Sequence, residues 1–184
     1  MIKKIEDKTV DILKQIPDNL VEVYKEEIEW IENMQYRRGC SLDRELLYIL
    51  LVLQKRHKGK VRIYINQKKQ LTCNTLDKWL GDGVCICKKG LIRLQKMGAI
   101  SIQTVARKYH EIEVCVPEFK GQDIAFSVVQ RNPIPEFYEY NGERKVERCV
   151  MCGKKFVKVK NMVTCSNAIC RSEYRKRNVG KYIA

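Results

Sequence analysis

The sequence predicts an α+β protein made of N-terminal helices, a central mixed domain and a small C-terminal metal-binding module. Three observations lead to this class: one strongly apolar helical segment, strand patterns separated by helical patterns, and four closely spaced cysteines. The predicted boundaries are residues 1–36, 37–117, 118–145 and 146–184. The third range follows Pro117 and contains several turn-forming residues, so it is predicted to be an ordered linker or extra strands.

The N-terminal segment is acidic and has a helical pattern. Residues 1–36 hold 5 Lys and Arg against 9 Asp and Glu, a net of −4. Pro17 divides the segment into two predicted helices. In the second helix, apolar residues recur at steps of four, four and three, at Leu20, Tyr24, Ile28 and Ile31. The negative charge argues against contact with DNA, so we expect packing on the central domain, with dimerisation or a protein partner as alternatives.

The central domain is predicted to alternate helices and strands around one buried helix. Ser41 caps a helix whose residues 46–53 are apolar on every side, so this helix forms the centre of the core and ends near Gly59. A strand at 61–66 follows, and then a helix at 75–80 with its cap on Asn74 or Thr75. The remaining predicted elements are a turn at 81–83, a helix at 84–97, and strands at 100–105 and 110–116.

The helix at 84–97 separates apolar from basic side chains. Its apolar face is predicted to pack on the buried helix and holds Cys87, Leu91, Leu94 and Gly98. The opposite face carries Cys85, Lys89, Ile92, Arg93 and Lys96, with Lys88 at its edge. Because no Asn or Gln lies squarely on this outward face, we expect many phosphate contacts and modest reading of base edges. The alternative is a scaffold helix with ordinary exposed lysines.

The order helix, strand, helix, turn, helix and hairpin over residues 40–117 resembles a winged helix-turn-helix domain of the replication-initiator or transcription-regulator type. The stretch LIRLQKMGAISI matches the ending common in such domains at Leu91, Leu94, Gly98 and Ile100. The resemblance implies that the helix at 84–97 enters the major groove of DNA. It also implies that Arg107 and Lys108 on the hairpin touch the adjacent backbone.

Four cysteines near the C-terminal end have the spacing C-x2-C, x12, C-x4-C, at Cys149, Cys152, Cys165 and Cys170. The first residues of the chain lack the apolar stretch of a signal peptide, so we expect a reducing cytoplasm, where such clusters bind metal ions rather than form disulfides. Gly153 allows the backbone to leave the first turn with positive φ. We therefore predict one structural Zn²⁺ in a closed tetrahedral site. The alternative is unlinked buried thiols.

The residues around these cysteines resemble a treble-clef or zinc-ribbon module. A hairpin of two short strands is predicted at 156–159 and 162–165, joined near Lys160 and Asn161 and followed by a polar helix after Cys170. The module is expected to provide a second basic surface through Lys154, Lys155, Lys158, Lys160, Arg171, Arg175, Lys176 and Arg177. A second metal site is a further question, raised by Cys73, Cys85, Cys87 and Cys115, and for these we favour buried free thiols.

Charge indicates the class of partner. The excess of Lys and Arg is +11 in residues 37–120 and +7 in residues 121–184. A polyanion is therefore the expected partner, and we predict a non-enzymatic regulator or replication-type accessory factor that binds nucleic acid, in the first place duplex DNA. The rival interpretation is a protein-interaction factor, such as a phage-type inhibitor, that binds a partner protein or occupies the nucleic-acid channel of an enzyme.

Other functional classes are disfavoured by what the sequence lacks. A treble-clef nuclease needs a histidine base, and the only histidines are His57 and His110, far from the cysteines. The sequence shows no nucleophile–base pair and no phosphate-binding loop, so neither an enzymatic activity nor a small-molecule substrate is expected. The longest apolar run, residues 46–53, is far shorter than the roughly 20 residues that span a bilayer. No membrane partner is expected, and the predicted location is the cytoplasm.

Overall fold

The chain folds into a main module of mixed helices and strands and a small four-cysteine module on its C-terminal side. A computed structural model describes residues 20–36, 42–65, 71–80, 86–119 and 123–178. The main module comprises the described residues from 20 to 141, and the four-cysteine module those from 146 to 178. Helices and strands both contribute, as the predicted α+β class requires. The predicted helix before Pro17 and the predicted turn at 81–83 lie outside the described residues.

Thirteen elements are present in the described part of the chain. In chain order they are β1 (Val21–Tyr24), α1 (Lys25–Glu32), α2 (Asp43–His57), β2 (Val61–Tyr64), α3 (Cys73–Leu80), α4 (Ile86–Lys96), β3 (Ile100–Val105), β4 (Tyr109–Val114), β5 (Ile124–Val128), α5 (Ile134–Asn141), β6 (Val146–Arg148), β7 (Lys155–Val157) and α6 (Ala168–Asn178).

Helix α2 is the centre of the main module. Every residue from 46 to 53 is at most 3 % exposed, which confirms the predicted fully buried helix. The helix ends at His57 and is followed by Lys58, whose φ of 50° is left-handed. The amide of Gly59 donates to the carbonyl of Gln54 at 3.1 Å. Ser41, the predicted cap at its start, lies outside the described residues. A helix buried on every side needs partners on every side, and the elements before and after it in the chain supply them.

One side of α2 is covered by α3, α4 and an antiparallel sheet of order β2-β4-β3. The sheet turns one face to the core, since Val61 and Ile63 are buried and Arg62 between them is exposed. Helix α3 begins after Thr72, whose hydroxyl accepts a hydrogen bond from the amide of Thr75 at 3.3 Å. Thr72, and not the predicted Asn74 or Thr75, is therefore the cap.

Strand β1 corrects the helical prediction for the N-terminal segment. Residues 21–24 pair antiparallel with β5, with Val21 opposite Val128, and the helix begins only at Lys25. Val21 and Val23 are 4 % and 0 % exposed, whereas Leu20, the first residue of the predicted helical stripe, is 57 % exposed. The two-residue alternation decided the local structure because β5 offered a partner edge to this stretch.

Helix α1 packs on α2. Ile28 and Ile31, two members of the predicted apolar stripe, are buried in the same cluster as α2. The buried carboxylate of Glu27 accepts two hydrogen bonds from Nζ of Lys55, at 2.8 and 2.7 Å. The described part of the acidic segment is therefore packed within the chain, which was the favoured alternative.

Helix α5 closes the remaining side of the core. Phe137 stacks on Tyr48 with ring centroids 4.6 Å apart, and the hydroxyl of Tyr138 donates to buried Glu45 at 2.9 Å. The segment at 118–145, predicted as a linker or extra strands, thus contributes both a strand and a helix to the main core.

The four-cysteine module is built on the β6–β7 pair. Strand β7 pairs with β6, which precedes the first cysteine, so the predicted hairpin between 156–159 and 162–165 is wrong. Residues 162–165 form no strand, because Met162 and Cys165 turn into the small core around the cysteines. Val146 and Val157 pack against the core of the main module, and Lys155 forms an ion pair with Glu139 of α5. These contacts attach the four-cysteine module to α5.

Candidate metal centre and basic surfaces

The first two cysteines lie in and beside the turn that joins β6 to β7. The amide of Cys149 donates to the carbonyl of Lys154 at 2.9 Å, and the amide of Gly153 donates to the carbonyl of Cys149 at 2.8 Å. Gly153 has a φ of 69°, which confirms the predicted left-handed exit from the turn. The closed turn keeps the sulfurs of Cys149 and Cys152 directed at one point.

The second pair of cysteines meets this turn from the start of α6. The side-chain oxygen of Asn167 accepts a hydrogen bond from the amide of Ile169 at 2.8 Å and caps the helix. Cys170 therefore lies in the first turn of α6, and Cys165 lies in the loop before it.

The four sulfurs form one compact cluster. All of them lie within 4.8 Å of one another, and the sulfurs of Cys152 and Cys165 are 3.8 Å apart. A tetrahedron of sulfurs around an ion at about 2.3 Å has edges of about 3.8 Å, so the cluster needs only small adjustments to close on zinc. The four thiols could therefore hold one metal ion.

The thiols lie in different electrostatic environments. Burial opposes ionisation of Cys149, but backbone amides, first that of Cys165, outweigh it and lower the pKa of the Cys149 thiol to about 6. Burial and the neighbouring sulfurs of Cys152 and Cys165 raise the pKa of the Cys170 thiol to about 12. One thiolate is favoured and another opposed, so a bound cation is what would allow all four sulfurs to act as thiolate ligands.

Helix α4 approaches α2 closely at Gly90. A Cβ at this position would lie 2.7 Å from Cδ2 of Leu46 and 3.0 Å from Oδ1 of Asp43. Asp43 is 1 % exposed and accepts two hydrogen bonds of 2.6 Å from Nε and Nη2 of Arg93. The prediction of an outward-facing Arg93 is therefore wrong. The close contact at Gly90 brings Arg93 beside α2, where its guanidinium neutralises a buried carboxylate.

The exposed face of α4 is centred on Ile92, which is 50 % exposed. The other exposed side chains of this face are Lys88, Lys89, Gln95 and Lys96. No Asp or Glu occurs in the helix. Gln95 is not among the residues predicted for this face, because the predicted face is centred closer to Arg93. Gln95 lies on the other side of Ile92, three residues further along the helix.

The tip of the β3–β4 hairpin carries the two predicted cations. Arg107 and Lys108 are both exposed. Ala106 and Arg107 have φ of 47° and 54°, and the amide of Lys108 donates to the carbonyl of Val105 at 3.0 Å. The hairpin therefore turns within a few residues, with both cationic side chains at its end.

Part of the predicted basic surface of the four-cysteine module is paired within the chain. Lys155 forms an ion pair with Glu139, and Lys158 forms one with Glu147 at 2.8 Å. Lys176 is paired with Glu173 at 2.8 Å. The exposed predicted cations that form no ion pair in the described part of the chain are Lys154, Lys160, Arg171, Arg175 and Arg177.

The other cysteines divide into a pair and a single thiol. The thiols of Cys73 and Cys87 interact, which lowers the pKa of Cys73 and, together with burial, raises the pKa of Cys87. Cys115 is exposed, with its sulfur 3.9 Å from the carbonyl of Glu113. Cys85 lies outside the described residues. Within the described ranges, the cluster near the C-terminal end is the one group of three or more side chains arranged to hold a metal ion.

Comparison of the chain with protein-family models, with curated proteins and with solved structures found no match in any of the three. Among the helices that the structure describes, none has the length and apolar character needed to cross a bilayer.

Proposed function

We propose that this protein binds duplex DNA through α4 and the β3–β4 hairpin, as a regulator or replication-type accessory factor. The observation that carries the proposal is the exposed face of α4, which presents three lysines and no carboxylate. The order of elements from α2 to β4, with its β2-β4-β3 sheet, agrees with the predicted winged helix-turn-helix arrangement and supports the same role.

The side chains on this face suit two kinds of contact. Lys88, Lys89 and Lys96 are long cations that would neutralise backbone phosphates. Gln95 has the amide that recognises the N6 and N7 atoms of adenine, and Ile92 offers an apolar surface to a thymine methyl group. We therefore assign more base reading to α4 than the sequence alone suggested.

The angle between α3 and α4 is fixed by a buried hydrogen bond, which supports a preformed binding surface. Asp77 on α3 is 6 % exposed, and its carboxylate accepts a hydrogen bond from the amide of Cys87 at 2.8 Å. At the other side of α4, the Asp43–Arg93 ion pair fixes the helix to α2. A surface held at both sides needs little reordering on binding, so less free energy is lost in forming the complex.

The four-cysteine module enters the proposal as a structural zinc site. Its four thiols would fill all four positions of a tetrahedral Zn²⁺, which leaves none for water or substrate. The zinc would fold the module, and the folded module would present a second basic surface that includes Lys160, Arg171, Arg175 and Arg177.

The test is a titration of labelled duplex DNA at several salt concentrations, with fluorescence anisotropy as the readout. Each phosphate neutralised on duplex DNA adds about −0.9 to the slope of log K against log salt. The α4 variant, Lys89→Ala/Lys96→Ala, should bind more weakly and have a slope smaller in magnitude by about two units. The hairpin variant, Arg107→Ala/Lys108→Ala, should also bind more weakly, with unchanged sequence preference, because its contacts are to the backbone.

The charge-matched control is Lys25→Ala/Lys145→Ala, at side chains that are 51 % and 72 % exposed and outside α4 and the hairpin. It should retain the slope of the wild-type protein. Equal affinity of the wild-type protein and the α4 variant would reject the proposal. If the wild-type protein instead forms a complex with a host protein that survives nuclease treatment, the protein-interaction alternative would replace it.

A further inference from the structure

A further basic region, distinct from α4, lies in a cleft between the main module and the four-cysteine module. The cleft has a volume of about 1870 Å³ and is lined by residues of α2, β2, α3 and α5 on one side and of the four-cysteine module on the other. Small-molecule pockets measure roughly 300–1,000 Å³, so a cleft of this size suits an extended chain better than a metabolite. No residue of α4 or of the hairpin tip lines it, which separates it from the proposed duplex-binding surface.

The cleft is strongly cationic. Eight of its lining residues are Lys or Arg and one, Glu111, is a carboxylate. Arg62 is paired with Glu111 at 2.9 Å, and Lys60 with Glu113 at 3.4 Å. Four exposed cations have no carboxylate within ion-pair distance among the described residues, and these are Lys78, Arg131, Arg144 and Lys154. Much of the positive charge is therefore left for a ligand to neutralise.

The loop at 129–132 brings Arg131 to the cleft, and a contact with α2 fixes the position of this loop. Nη2 of Arg56, near the end of α2, donates to the carbonyl of Gln130 at 2.8 Å. Burial is the main cause that lowers the pKa of Arg56, and repulsion from the positive charge of Arg131 adds to it. An anion bound at Arg131 would relieve this repulsion.

Aromatic side chains accompany the cations. Trp79 at the end of α3 and Tyr64 at the end of β2 line the cleft, and both are partly exposed. The ring of Tyr64 is supported by Tyr109, with centroids 5.3 Å apart. Cationic side chains that follow a backbone, combined with aromatic rings that stack on bases, are the features of surfaces that bind single strands. A duplex keeps its base faces stacked inside and could not use these rings.

We propose that this cleft binds single-stranded nucleic acid, DNA or RNA. The phosphates lie along Lys78 on the main module and Lys154 on the four-cysteine module, and the bases stack on Tyr64 and Trp79. The strand therefore bridges the two modules. This role goes beyond the duplex binding proposed for α4 and does not depend on it.

The experiment uses the full, zinc-loaded chain and labelled 12-nucleotide oligonucleotides of dT and of U, with a 12-base-pair duplex and a poly-glutamate peptide for comparison. The cleft variant is Lys78→Ala/Lys154→Ala, at two exposed side chains whose loss leaves the core intact. It should weaken binding of the oligonucleotides and reduce the magnitude of their salt slope by about 1.4 units, because each phosphate on a single strand contributes about −0.7. The α4 variant, which removes the same number of charges, is the matched control and should leave oligonucleotide binding unchanged.

Stacking has a separate test. Tyr64→Thr preserves a strand-forming residue and should lower oligonucleotide affinity on the order of 5- to 150-fold, with an unchanged salt slope. Unaltered binding by the cleft variant would overturn the proposal, and so would equal losses in the cleft and α4 variants. Binding of poly-glutamate as tight as that of the oligonucleotides, and indifferent to Tyr64→Thr, would assign the cleft to an acidic protein segment instead. Loss of duplex binding in the α4 variant alone would leave this proposal standing, so the two can fail separately.

Discussion

The two modules differ in what stabilises them. The main module buries one cluster of 27 apolar residues around α2, whereas the cluster of the four-cysteine module contains three, and two of these are cysteines of the candidate metal site. A unit with so small a core cannot offset the entropy lost on folding through apolar burial. The main module is therefore stabilised by hydrophobic packing, whereas the four-cysteine module needs another source of stability, which a metal ion held by its four thiols would supply.

The largest effect should follow from removing one metal ligand. Structural zinc sites in small peptides contribute roughly 10–16 kcal/mol of apparent binding free energy, most of it coupled to folding. Cys152→Ser should therefore lose the zinc and unfold residues 146–178 while α2 remains protected. Elemental analysis and hydrogen exchange measure the two outcomes. The control is Cys115→Ser, at an exposed thiol outside the cluster, which should keep one zinc per chain. Wild-type protein that is purified folded but without zinc would contradict the idea that a metal ion stabilises the four-cysteine module.

Truncation of a large apolar side chain in the main module should destabilise that module and leave the zinc content unchanged. Phe137 is fully buried against Tyr48, and Phe137→Ala should cost about 3–5 kcal/mol of unfolding free energy through the cavity it leaves. The zinc content should not change. Denaturant unfolding followed together with zinc release measures both. Tyr140→Ala, on the same helix at a side chain 44 % exposed, should cost about 1 kcal/mol. Zinc loss in Phe137→Ala at low denaturant would show that the four-cysteine module depends on the main core.

The smallest effect concerns a buried carboxyl in the main module. Burial raises the pKa of Glu136 above its ordinary value of 4.5. A hydrogen bond of 2.8 Å from Gln130 and the positive charge of Lys155 both act to lower this pKa, but burial outweighs them. Its contribution to stability is therefore complete below about pH 4.5 and is lost as the pH rises through the folded-state pKa. Glu136→Gln carries no charge and retains an acceptor, so it should be more stable than the wild-type protein at pH 7.

The advantage of Glu136→Gln should shrink as the pH falls toward 5. Thermal unfolding of both proteins between pH 5 and pH 8 measures the difference, in which other titrating groups cancel. The exposed neighbour Glu139 is not a suitable control because it is paired with Lys155, but Glu118 is exposed and in no described ion pair. Glu118→Gln should follow the wild-type curve. A constant difference across the pH range would mean that Glu136 is ionised throughout.

Local patterns predicted much of the fold. The run at 46–53 could only be a buried helix, because it is apolar in every direction, and the cysteine spacing indicated a cluster without knowledge of the fold. What failed depended on distant partners. Val21 and Val23 form a strand because β5 lies beside them, and β5 begins only at Ile124. Arg93 pairs with Asp43 because Gly90 allows α4 and α2 to approach closely. A helical wheel shows the faces of one helix and cannot predict the distance between two helices.

The four-cysteine module shows the same limit. Residues 162–165 include the β-branched Val163 and Thr164, which favour strands, yet this segment forms no strand. It brings Cys165 to the small core that holds Cys149 and Cys170. The geometry of the sulfur cluster decided the path of this loop. The sequence predicted the lysines on the exposed face of α4 but not Gln95. The predicted centre of this face was shifted around the helix, and such a shift changes which side chains lie at the edges of the face.

The pairing of β1 with β5 has a consequence for how the protein is made. Val21 meets Val128, and Tyr48 meets Phe137, so the core around α2 has no complete outer layer until residues 124–141 have been synthesised. A chain growing from its N-terminus therefore holds α2 without its complete cover from the synthesis of residue 53 until that of residue 141. During that period part of the apolar surface of residues 46–53 stays uncovered, and the docking of α5 completes the core.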